Sequence, residues 1–199
     1  MSWMGMWVVG ALPDSAVRAV REQHGAQPWS GAAAEYREDL AWWAAQPPVA
    51  LTRESAQPLA ELMLCHVELA EAAEAEEACL QQLSGTPAEG VFVAGARKTH
   101  PPAALCHGLG PGATGLLPGR FGSFLLTADE VRSALPEVER ALAVGGHRRA
   151  VVAERIEEWL ERLGNGSQHQ AGEFLDGPLR VLRYAERAGD GAVGCWRTY

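Results

Sequence analysis

The sequence predicts an α+β fold: one helix-rich domain over residues 1–199, with a few short strands that include one at each end. Three observations lead there. Apolar residues three and four apart mark most of the chain as amphipathic helix. Short apolar or extended runs of strand length occur only at 4–12, 90–95, 123–126 and 192–199. No repeat, low-complexity tract or linker divides the 199 residues, and a chain of that length makes one domain.

The elements follow in order. Residues 4–12 are apolar, carry Val8 and Val9 and stop at Pro13, which suits a buried strand. Asp14 or Ser15 caps a helix to about His24, because a side-chain oxygen there satisfies free backbone N–H groups. Residues 25–31 read as a loop. A helix over 32–45 ends at Pro47-Pro48, and its adjacent Trp42 and Trp43 point about 100° apart, so only one enters the core. A long acidic helix is expected over 58–84. Its stripe is 59, 62, 66, 69, 73, 76, 80 and 83, with His66 and Glu76 as polar members.

Residues 90–95 form a strand and 101–107 a helical turn. Gly108 to Gly122, with six glycines and two prolines, reads as an irregular loop. Thr127 and Glu130 have capping-box spacing for a helix that Pro136 should kink. Residues 150–163 make an amphipathic helix burying Val151, Ile156, Trp159, Leu160 and Leu163. A last helix over 178–188 leads into the strand at 192–199.

Composition limits the function classes. A net charge of −8 argues against binding a phosphate backbone. No run approaches eighteen apolar residues, so no membrane span is expected. Only one of the 17 basic residues is lysine, Lys98; with the abundant alanine, glycine and arginine this suggests a GC-rich, actinobacterial-type genome. Cys65, Cys79, Cys106 and Cys195 form no CxxC pair, which reads as reduced thiols in a cytoplasmic protein. The Met-Ser-Trp-Met-Gly-Met-Trp start lacks the basic and apolar regions of a signal peptide.

Three stretches carry a family likeness. They are Met4-Gly5-Met6 running into a strand and a Leu12-Pro13-Asp14-Ser15 helix start, the block 101–131 with Phe124-Leu-Leu-Thr-Ala-Asp-Glu-Val131, and Leu179 to Ala188 before Gly189-Asp190. Together they cover about a third of the chain, and in that order they resemble the YfbM-like family of bacterial proteins. The resemblance implies an α+β domain and carries over no catalytic residue.

Four features bear on chemistry. Cys106-His107, seven residues after His100, offers a nucleophile and a base, or part of a zinc site; the alternative is a small buried thiol beside a loop histidine. Cys65-His66 repeats the dipeptide on a helix, where the side chains diverge. Gly110 and Gly112, with Arg120 at the exit of the glycine-rich stretch, offer backbone N–H groups and a cation to an anion; the alternative is a turn whose glycines serve backbone geometry. Finally, 54–96 holds eight glutamates and no Lys, Arg or Asp. Glu61, Glu68, Glu71 and Glu74 then present an acidic face, either solvated or meeting a basic partner.

No complete catalytic constellation, cofactor motif or metal-ligand set is present in this reading. The expected function is that of a cytoplasmic, non-catalytic binding or interaction protein, with a basic protein as partner and no nucleic acid or membrane. The alternative is a small-molecule enzyme or ligand-binding accessory protein with its pocket under 108–122.

Overall fold

A computed structural model describes residues 3–24, 33–46, 51–52, 54, 56–57, 61, 70–164 and 169–199. The strands are β1 (Met4–Leu12), β2 (Val91–Arg97), β3 (Phe124–Leu126) and β4 (Gly191–Thr198). The helices are α1 (Asp14–His24), α2 (Ala33–Ala44), α3 (Ala70–Gln82), α4 (Pro101–Thr114), α5 (Ala128–Leu142), α6 (Gly146–Leu163) and α7 (Ala171–Ala188), with a 3-10 turn at Ala88–Gly90 before β2. The fold is α+β.

The four strands form one antiparallel sheet in the order β2-β1-β4-β3. β1 pairs with β2 as Trp7 to Ala94 and with β4 as Trp7 to Trp196. Side chains alternate across the sheet, so Trp7, Val9, Phe92, Ala94 and Trp196 enter one cluster with α4, α5, α6 and α7. Leu12, Leu125, Val193 and Cys195 face the other way, against Val17 and Val20 of α1 and Ala75 and Cys79 of α3. Trp7 Nε1 donates to the Gly122 carbonyl at 3.0 Å, which ties the middle of the sheet to the turn before β3.

Several sequence expectations need correction. The glycine-rich stretch is not one loop, because α4 runs through Thr114. It breaks at Gly110, whose φ of 75° ends the first segment, and Pro111 restarts the helix. Proline is tolerated there, since the first N–H groups of a helix have no internal partner. Gly108 lets α4 and α6 approach, because a Cβ at that position would sit 2.6 Å from Ile156 Cγ1.

α7 starts at Ala171, seven residues before Pro178, and passes through Gly177-Pro178. Gly177 has its reason in packing: a Cβ there would run into the Phe92 ring. α5 likewise continues through Pro136, and its capping box is present as expected. On α6 it is Val152 that is buried, whereas Val151 is 37% exposed. On α3 the fully buried residues are Ala75 and Cys79, with Glu76 beside them, so the buried face is rotated from the expected stripe. Leu59, Leu62, His66 and Leu69 lie outside the described residues. Of the tryptophan pair, Trp43 packs against the core and Trp42 is exposed. No helix among the described residues is long and apolar enough to cross a membrane.

Candidate functional site

Cys106 lies on the inward face of α4 with no exposed surface, and burial pushes its thiol up to about 12. A nucleophilic cysteine needs thiolate character and access; this one has neither. His107 is the next residue on the helix, turned away by about 100°. Its ring centre lies 5.1 Å from that of Trp159, and burial with the nearby Arg155 charge lowers its pKa to about 4. The imidazole is therefore neutral and held against an aromatic ring. His100 sits between Trp3, at 4.9 Å, and Trp196, at 4.5 Å, and burial lowers it to about 4 as well. Cys106 and His100 are buried and His107 is half-buried, and among the described residues they form no metal-holding group.

Arg120 is buried and pairs with Asp39 of α2. Its guanidinium carbon lies 6.0 Å from the Tyr36 ring centre and 5.9 Å from that of Phe121. The two rings meet edge to face at 5.1 Å. α2 thus covers the stretch after α4, and the arginine clamps it there. Burial pushes the Tyr36 phenol up, with Cys106 adding to the effect and Arg120 opposing it. Gly110 is buried and Gly112 exposed. They flank Pro111 at the break in α4.

The acidic face is partly described. Glu61 and Glu74 are exposed, Glu68 lies outside the described residues, and so does the side chain of Glu71. Glu77 reaches Arg197 of β4 at 2.7 Å. Glu76 is the exception on this helix. It is only 8% exposed, 3.6 Å from Arg197 Nε, and burial raises its carboxyl to about 7 against the opposing pull of Arg197. An acidic residue inside an apolar stripe was the signal for it in the sequence. Among the described residues no group of three His, Cys, Asp or Glu side chains is placed to hold a metal ion, and Cys65-His66 lies outside them.

An open groove of about 620 Å³ lies between β2 and α7. β2 contributes the apolar side through Phe92, which is buried and edge-on to Trp7 and Phe174; the exposed Val93 side chain, next along the strand, points to the other face of the sheet. The α7 wall carries Glu173, Asp176, Arg180 and Arg183, spaced three, four and three apart on one helix face. Each has an internal partner. Asp176 holds Arg149 through two bonds, at 2.9 and 2.6 Å. Arg183 Nε donates to Glu139 at 2.8 Å, and Glu173 meets His169 Nδ1 at 3.0 Å. Arg180 donates to the carbonyls of Ala88, at 2.6 Å, and Val91, at 3.0 Å, so it caps the start of the edge strand.

These contacts leave much of the wall in solvent: the side chains of Glu173, Asp176 and Arg183 are 53%, 64% and 45% exposed. Sequence reasoning missed this groove because it began the helix at Pro178 and so cut the charged stripe in half. Followed through Gly177-Pro178, the 173, 176, 180, 183 spacing would have shown it. No family model, curated protein or solved structure matches the chain.

Proposed function

We propose that this is a non-catalytic interaction protein that binds a polypeptide partner along the groove between β2 and α7. One observation carries the reading: a rigid helix presents exposed charges of both signs along an open groove beside the edge strand β2. Small-molecule sites enclose most of their ligand, whereas this groove is open along its length and suits an extended surface. The buried thiol of Cys106 and the neutral His107 support a binding role over a catalytic one. The free, buried Cys79, Cys106 and Cys195 fit a reducing cytoplasm, which we propose as its location. Kinship with YfbM-like proteins is a proposal that rests on the three matched stretches.

The exposed Glu61 and Glu74 favour a second contact, with a basic protein drawn by charge. Capture from an extract of the source cell, with wild type and Asp176→Arg at low and high salt, tests both. A protein retained by wild type and lost with Asp176→Arg supports the groove. A protein retained by both and released only by salt transfers the function to the acidic face. Identical retention by both chains at either salt overturns the groove reading.

A further inference from the structure

The charged stripe of α7 has an internal symmetry. Its acidic members, Glu173 and Asp176, precede Pro178 by five and two residues; its basic members, Arg180 and Arg183, follow it by two and five. Laid antiparallel on a second copy, with a two-fold axis at Pro178, Glu173 meets Arg183 and Asp176 meets Arg180, four pairs in all. The rise of 1.5 Å per residue spreads those pairs over about 15 Å. Acidic residues early and basic residues late also suit the helix macrodipole, but that effect is confined to the end turns and does not reach Asp176 or Arg180 in the middle of the helix.

The internal partners do not cancel the pattern. With Arg149 counted, the early half has two carboxylates and one guanidinium; with Glu139 counted, the late half has two guanidinium groups and one carboxylate. The halves therefore keep opposite net signs.

We propose that the partner in this groove is a second copy of the chain, joined by antiparallel α7–α7 packing about a two-fold axis near Pro178. A two-fold contact is self-complementary by construction, and this face meets that condition in both charge order and spacing. Exposed pairs contribute little individually, so the dimer is weak and dissociates as salt rises. The proposal rests on reading this groove as an interaction surface.

Sedimentation of the full chain over a concentration series, at low and high salt, tests it with Glu173→Arg, Arg183→Glu and the double swap. Each substitution appears twice across the axis, so each single change weakens the dimer about tenfold or more. The double swap restores it. That restoration cannot arise within one chain, because the swap breaks both the His169–Glu173 and Glu139–Arg183 contacts. Circular dichroism of each variant confirms that it is folded. A wild-type chain that stays monomeric at every concentration in low salt overturns the dimer, as does a dimer indifferent to the single changes. If the dimer fails while Asp176→Arg still abolishes capture of another protein, only the second-copy assignment falls. If Asp176→Arg leaves capture and assembly alike unchanged, the groove reading falls with it.

Discussion

The two faces of the sheet are built differently. One carries Trp7, Phe92 and Trp196 beneath four helices and encloses fully buried Phe174 and Ile156, with Trp159 1% exposed. The other is covered among the described residues by α1 and α3, with only small and medium apolar residues and one carboxyl, Glu76, enclosed beside them. Burial of large apolar surface stabilises in proportion to area. The broad face therefore holds most of the fold's stability, and each face carries titratable groups of its own.

Opposite pH responses follow. His100 and His107 on the broad face have pKa values lowered from 6.5 to about 4, so the unfolded chain binds their protons more tightly. Their contribution is present above about pH 6.5 and is lost as pH falls through about 4. Glu76 on the thin face is raised from 4.5 to about 7, so the fold binds its proton more tightly. Its contribution is full below pH 4.5 and is lost as pH rises through about 7.

The sharpest way to break this comparison is to empty the broad face. Phe174→Ala is expected to cost about 3–5 kcal/mol in urea unfolding; a loss near zero would mean that the aromatic cluster can collapse into the void. Next comes Glu76→Gln, which is expected to add about 1–3 kcal/mol at pH 8 and to change little near pH 4. Equal pH profiles for the two chains would show that the folded carboxylate ionises without penalty. The smallest effect concerns the thiols. Cys106 on the broad face and Cys79 and Cys195 on the thin face are all buried, with burial raising their pKa values. None should be alkylated at neutral pH before unfolding, as timed mass spectrometry would read. Earlier reaction of Cys79 and Cys195 would identify α3 as the element that opens first.

Legibility in the sequence divides along a physical line. β1, the Thr127 capping box and three buried residues of α6, Ile156, Trp159 and Leu160, could be read because local periodicity and backbone satisfaction determine them. The course of 108–122 and the start of α7 could not. Gly108 and Gly177 read as breakers by local rules, yet each serves a contact with a residue distant in sequence, Ile156 and Phe92. The candidate site suffered twice from this. Cys106 and His107 are adjacent in sequence but a helix separates their directions, and the α7 stripe was divided at the proline that it passes through.

The pairing of β1 with β4 bears on how the chain reaches this fold. Gly5 lies opposite Thr198 and Leu12 opposite Gly191, so the two central strands are separated by nearly the whole sequence. β2 can pair with β1 early, but among the described residues β3 pairs with β4 alone. As the chain leaves the ribosome, the middle of the sheet stays open until the last strand emerges, and the hydrophobic edge of β1 is exposed meanwhile. Each doubling of the closing loop costs only about 0.6 kcal/mol, so equilibrium stability suffers little. The rate is what such long-range pairing slows, which makes β4 the strand whose arrival times the completion of the sheet.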